Sequence, residues 1–179
     1  EIQVRGANVS PGYWRDEQST REARTEDGWY RMGDTGEFTE DGDMRLSGRL
    51  KNMIVLPNGL NVFPEDIESA LAEHGLGQAV VLETDPGRIE AVVLPPGAVP
   101  IVRDDQQAAN DRELDDGLRA EIDAIVKAAN ADLSMHQRIA GWRLWPDRDF
   151  PRTHTLKIKR NPVRDWAGGD VALQVREVE

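Results

Sequence analysis

Asp34, Arg49 and Lys157 are the side chains whose types and settings could do chemistry in this chain. Asp34 ends the stretch Gly28-Trp29-Tyr30-Arg31-Met32-Gly33-Asp34. A carboxylate holds two acceptor oxygens in one plane and can take hydrogen bonds from both hydroxyls of a ribose 2′,3′-diol. The ordinary alternative is a turn Asp bonding its own backbone. Arg49, in Ser47-Gly48-Arg49, brings a planar, permanently charged fork that matches phosphate oxygens, or else is a surface Arg at a strand end. Lys157 lies in Pro151-Arg152-Thr153-His154-Thr155-Leu156-Lys157-Ile158-Lys159-Arg160, with Lys159 as the competitor in the neighbouring register. A flexible ammonium carried on such a loop can meet negative charge as it redistributes. Between these groups, Leu56-Pro57-Asn58-Gly59 makes a turn where the missing Cβ of Gly59 leaves room close to backbone. A carboxylate turn, a Gly/Asn-rich pivot before a helix, and a basic loop form equipment for handling a nucleotide that bears an activated acyl group.

The elements that must hold these groups follow from periodicity and turn signals. Glu1–Gly6 alternates as a strand with Ile2 and Val4 on one face, and the polar stretch after it, broken by Pro11-Gly12, reads as loop. Gly36–Thr39 and Met44–Ser47 flank Glu40-Asp41-Gly42-Asp43, whose Asp-Gly step suits a hairpin. Residues 1–49 are thus β-rich, with too few apolar positions for a core of their own. Met53–Leu56 and Leu60–Val62 predict a second hairpin about Pro57-Asn58-Gly59. Pro64 suits the first position of a helix, Glu65 and Asp66 complement its dipole, and Ile67, Ala70, Leu71 and His74 form its apolar stripe before Gly75 stops it. Gln78–Thr84 and Arg88–Leu94 pair about Asp85-Pro86-Gly87. Residues 95–113 lack periodicity and predict a long mobile connection. A second helix carries Leu114, Leu118, Ile122, Ile125, Val126 and Ala129, with Gly117 weakening its first turns. Gly141–Trp145 reads as the final strand, and Asn161-Pro162 as the N-cap and first residue of a last helix ending at Gly168-Gly169. Two strands, a helix, two strands, a helix, a strand and a helix predict a small α+β domain over 51–170.

Composition narrows the partners. Among 179 residues, 33 are acidic and 22 basic, a net charge of −11 that repels nucleic acid and anionic lipid. ATP and CoA are anionic too, so binding them requires local cations, and Arg152, Lys157, Lys159, Arg160 and Arg164 are the candidates. A solvated charge run is the plainer account of those five. The absence of cysteine excludes disulfides and thiolate metal sites and fits a reducing compartment. No apolar run approaches the ~20 residues of a spanning helix, so a soluble, cytoplasmic protein is expected. The three histidines, His74, His136 and His154, share no ligand spacing, and no protein-borne metal site is expected. The start at Glu1, without Met or an apolar leader, suggests a piece of a longer protein.

The stretches 28–34, 48–68 and 151–160, in this order, resemble the C-terminal end of the adenylate-forming enzymes: acyl-CoA synthetases, adenylation domains of peptide synthetases and luciferase-like ligases. The resemblance covers nearly the whole chain and implies an α+β fold, a small mixed-sheet C-terminal domain with flanking helices preceded by a β-rich tail. It divides the chain into residues 1–50, the tail of a large adenylation domain, and 51–179, a mobile lid. It implies that Asp34 holds the ribose diol and that Arg49 reaches the ribose or α-phosphate side. Lys51 becomes the hinge, a plain linker Lys being the alternative, and Gly59 lies on a hairpin beside which a pantetheine arm passes. Lys157 becomes the adenylation lysine, bridging the carboxylate oxygen and the α-phosphate. Met32 stands where the family usually has Thr, Thr155 where it has Ser, and Leu156 where it has Gly, which implies a stiffer loop. The family's Ser/Thr/Gly-rich phosphate loop and its Tyr-Gly-x-Thr-Glu stretch do not occur in these residues, so this chain alone is expected to be inactive. The implied parent joins a carboxylic acid to CoA through acyl-AMP, using ATP with its Mg²⁺ and then CoA, and the wording is closest to fatty or long-chain acyl-CoA synthetases. A domain that loads a carrier protein, or a non-catalytic interaction module that keeps the fold, are the alternatives.

Overall fold

Two short antiparallel pairs open the chain. β1 (Gln3–Val4) pairs with β2 (Tyr30–Arg31), and β3 (Asp34–Phe38) with β4 (Met44–Arg49). The computed structural model describes residues 1–98, 115–169 and the backbone of 176–177, and the chain divides into two compact units, Glu1–Met53 and Ile54–Glu179. In the first unit the β3–β4 turn closes as expected, with the Thr39 N–H donating to the Asp43 carbonyl at 2.8 Å and Gly42 at φ +85°. No residue of this unit is fully buried, and Phe38 and Leu46 are 73% and 69% exposed, as a stretch without a core of its own requires. The expected loop after β1 contains a helix, α1 (Glu17–Glu22). Capping rather than apolar periodicity makes it: Asp16 Oδ1 accepts from the Ser19 N–H at 2.9 Å and Oδ2 from the Ser19 hydroxyl at 2.7 Å.

The second unit is built on a mixed sheet. β5 (Ile54–Val55) and β6 (Asn61–Val62) form the expected hairpin, and α2 (Pro64–Glu73) follows. β7 (Ala79–Asp85) and β8 (Arg88–Val93) are antiparallel; α3 (Asp116–Asp132) then crosses over to β9 (Gly141–Leu144), parallel to β8. α4 (Arg160–Gly168) follows, and β10 (Arg176–Glu177) pairs antiparallel with β9, giving the order β10-β9-β8-β7. One sheet face, with Val81, Ile89, Ala91, Val93 and Trp142, packs against α2, α3 and the β5–β6 hairpin. The other face, with Val80, Leu82, Val92 and Leu94, packs with Trp145, Phe150 and the Val163 and Ala167 side of α4. Burial on both faces explains why β7 reads Ala-Val-Val-Leu without polar alternation.

Two expectations about the end of the chain change. Gly141–Leu144 is not the last strand, because β10 lies beyond it. The last helix begins at Arg160 with Lys159 at its N-cap, not at Asn161-Pro162. Pro162 is tolerated inside because N–H groups of a first turn have no intrahelical partner. Leu114 and most of the expected connection, 99–113, lie outside the described residues.

Candidate functional site

In the first unit, strand register joins two residues that lie 15 positions apart. Asp34 and Arg49 face each other across β3 and β4, and Arg49 Nε donates to Asp34 Oδ1 at 2.8 Å. The β4 end is held by the Leu50 N–H, which donates to the Gly33 carbonyl at 2.9 Å. The side chains are 47% and 27% exposed. Such a pair contributes only about 0–1 kcal/mol to stability. One carboxylate oxygen and the terminal guanidinium nitrogens remain without partners among the described residues. An acceptor thus sits beside donors, the combination that suits a vicinal diol next to a phosphate.

Lys51 occupies a 3₁₀ turn, Leu50–Asn52, just before the boundary between the units, and is exposed. Gly59 closes the β5–β6 hairpin at φ +82°, with its N–H donating to the Leu56 carbonyl at 2.8 Å. That left-handed conformation by itself calls for glycine. A Cβ there would meet nothing within 4 Å, so the turn borders open space.

Lys157 stands on a small hairpin between the second core and α4. The Arg152–Ile158 bridge, the Thr153 N–H to Lys157 carbonyl bond at 2.8 Å and the Lys159 N–H to Pro151 carbonyl bond at 2.7 Å hold its arms. Ile158 packs on the core with Trp166, which sends Lys157 and Lys159 outward on the strand's other side. Among the described residues neither ammonium has a hydrogen-bond partner. Leu156, where the resembled family usually has glycine, has φ +63°, so the turn takes a left-handed conformation with a side chain in it.

Two of the five candidate cations have internal work and are withdrawn from anion binding. Arg152 forks onto Asp149 at 2.8 and 2.7 Å and also bonds Gln78 Oε1 at 2.7 Å and the Leu156 carbonyl at 3.0 Å. Arg160 donates to Glu68 Oε1 at 2.7 Å and to the Val81 carbonyl at 2.6 Å. Glu68 in turn accepts from the Val81 N–H at 2.8 Å. Burial pushes the Glu68 carboxyl up, against the pull of Arg160 and of the Val81 N–H. Arg164, exposed on α4, reaches Asn161 at 3.5 Å and no other partner among the described residues.

Sequence reading missed Glu68 and Glu90; for Glu90 the signal was a charge interrupting the apolar run of β8. Glu90, 2% exposed in mid-β8, accepts from Arg88 at 2.7 Å and Arg143 at 3.0 Å. Arg143 also donates to the Ala167 carbonyl at 2.8 Å, so α4 is fastened near both ends by arginines. His74 pairs with Asp132 at 2.7 Å between the ends of α2 and α3. Among the described residues no group of three His, Asp or Glu could hold a metal ion, and no helix is long and apolar enough to cross a membrane.

Comparison with known proteins agrees with this architecture. The family model for the AMP-binding enzyme C-terminal domain matches residues 51–165. The long-chain-fatty-acid–CoA ligase FadD15 of Mycobacterium tuberculosis is 39% identical over 96% of this chain, and the putative acyl-CoA synthetase YngI of Bacillus subtilis is 30% identical over 92%. The chain spans 30% and 27% of those relatives' lengths. The anthranilate CoA ligase AuaEII, solved with anthranoyl-AMP, shares the fold at a TM-score of 0.72 and 20% identity, over 96% of this chain and 30% of its own. ATP-bound MatB of Rhodopseudomonas palustris shares it at 0.67 and 23% identity, over 93% of this chain and 30% of its own. A mixed sheet clasped between α2, α3 and α4, with a lysine hairpin leading into the last helix, therefore belongs to the AMP-binding enzyme C-terminal domain family.

Proposed function

We propose that this chain is the C-terminal part of an ATP-dependent carboxylate–CoA ligase, with residues 51–179 as its mobile lid and residues 1–50 as the end of the large adenylation domain. The observation that carries the reading is the contrast within one basic segment. Arg152 and Arg160 are bound into the fold, while the Lys157 ammonium is exposed, unpartnered among the described residues, and carried on a hairpin fixed at both arms. A cation left unpaired on a fixed base is available to be aimed at a redistributing charge. Lys157 bridges the attacking carboxylate and the α-phosphate during adenylation. Asp34 takes the ribose diol, and Arg49 supplies donors on its phosphate side. ATP brings its Mg²⁺ with it. Rotation about Lys51 then turns the Gly59 hairpin toward the thiol of CoA. CoA as acceptor and a fatty acid as substrate take their support from the names of the relatives, several of them long-chain-fatty-acid–CoA ligases.

The test is Lys157→Ala in the full-length ligase. Acyl-AMP formation, followed by pyrophosphate exchange, falls by ~10²-fold or more, the scale of losing one focused electrostatic donor. Transfer to CoA from supplied acyl-AMP persists. An equal fall in both half-reactions would remove the division of labour.

A further inference from the structure

We infer that Arg152 is a positioning residue for Lys157, acting through the carbonyl of Leu156; this rests on the reading of Lys157 as the adenylation lysine. The Leu156 carbonyl belongs to the peptide unit whose N–H is that of Lys157, so whatever fixes this carbonyl fixes where the Lys157 side chain departs. Arg152 Nη1 holds it at 3.0 Å. The same guanidinium is itself immobilised: Nε and Nη2 fork onto Asp149 Oδ2 and Oδ1 at 2.8 and 2.7 Å, and Nη2 reaches Gln78 Oε1 at 2.7 Å. Arg152 and Asp149 side chains are 11% and 10% exposed, too enclosed for a surface pair.

Asp149 is tied to the second core in its turn. Its carbonyl accepts from Trp145 Nε1 at 3.0 Å, its Oδ1 from the Phe150 N–H at 2.8 Å, and both rings are buried. A relay therefore runs from the core through Asp149 and Arg152 to the peptide that carries Lys157. This chain has special need of it. Leu156 sits at φ +63°, a conformation that an L-residue leaves readily, and its side chain is 44% exposed and anchors little. Release of the carbonyl leaves the Leu156–Lys157 peptide to the longer bond from the Lys157 N–H to Thr153 Oγ1 at 3.2 Å, and re-aims the ammonium.

The experiment compares Arg152→Ala, Arg152→Lys, Lys157→Ala and the Arg152→Ala/Lys157→Ala double variant in the full-length ligase, each checked for folding by near-UV circular dichroism. Both half-reactions are measured. A displaced catalytic group costs on the order of 10–10²-fold, so Arg152→Ala lowers adenylation by about that factor and leaves thioester formation from supplied acyl-AMP unchanged. Arg152→Lys keeps the charge but cannot fork on Asp149 while reaching Leu156. It shows the same split and serves in place of the alanine variant should that one not fold. The double variant is no slower than Lys157→Ala, because two changes acting through one group do not add. Unchanged adenylation in both Arg152 variants, equal loss of both half-reactions, or a double variant slowed by the full Arg152 factor would each overturn the inference. If Lys157→Ala itself leaves adenylation intact, it is the reading of Lys157 that fails, and the inference falls with it by a different signature.

Discussion

Replacing Leu156 by glycine should tighten the lysine hairpin, although the same replacement loosens most positions. At φ +63° an L-residue carries roughly 1–2 kcal/mol of steric cost that glycine does not. Glycine in turn has about 0.5–1 kcal/mol more backbone freedom to lose on folding. Since the half-exposed leucine side chain also makes contacts, the clean comparison is Leu156→Gly against Leu156→Ala, which differ only in the Cβ. The balance favours glycine by about 1 kcal/mol, roughly a fivefold change in the opening equilibrium. Native-state hydrogen exchange at the Thr153 and Lys159 amides reads that opening directly, because their bonds at 2.8 and 2.7 Å close the hairpin. Both amides should exchange about fivefold more slowly in the glycine variant, the ratio following from the same free energy. On the exposed face of α2, Ala72→Gly should have the opposite sign, destabilising by about 1 kcal/mol. An alanine variant that protects these amides as well as the glycine variant would show that the left-handed turn stores no strain.

Lys51→Pro in the full-length ligase fixes φ near −65° within the 3₁₀ turn. It should preserve one half-reaction near the parental rate and abolish the other, and normal rates in both would exclude rotation about residue 51. Glu90→Gln leaves Arg143 without its carboxylate in a buried setting and should destabilise the chain by about 3 kcal/mol in urea unfolding; a loss under ~0.5 kcal/mol, the range of a neutral surface change, would mean the pair is solvated. The raised Glu68 carboxyl makes the native state hold more protons than the unfolded state between the ordinary and the raised pKa. Stability in that window therefore declines as pH rises, and Glu68→Gln should remove that slope. An unchanged pH profile of the urea midpoint would contradict it.

Much of the fold was legible because the signals are local. Pro64 with Glu65 and Asp66, and the Asn58-Gly59 and Asp85-Pro86-Gly87 turns, specify their elements without reference to anything distant. α1 escaped because it buries nothing and rests on one Asp16 cap, which periodicity cannot see. The start of α4 was misplaced because Arg160 is anchored by Glu68, 92 positions away, while Asn161-Pro162 mimics a start signal. The same reason separates the five cations. Arg152 and Lys157 look alike in sequence, and only the return of Asp149 and Gln78 to one corner shows that the first is structural while the second is left free.

The bonds that Glu68 and Arg160 make to Val81 also settle how β7 meets its surroundings. β7 is an outer strand of the sheet order among the described residues, and Ala79–Leu82 is an uncharged apolar run that includes two adjacent β-branched valines. An outer strand with open N–H and C=O groups is a template on which another chain can extend the sheet. At Val81 both groups are already occupied, the N–H by the Glu68 carboxylate and the C=O by the Arg160 guanidinium. Two side chains, one from α2 and one from the first residue of α4, thus stand at Val81 where a neighbouring strand would bind, and they obstruct extension of the sheet at that point.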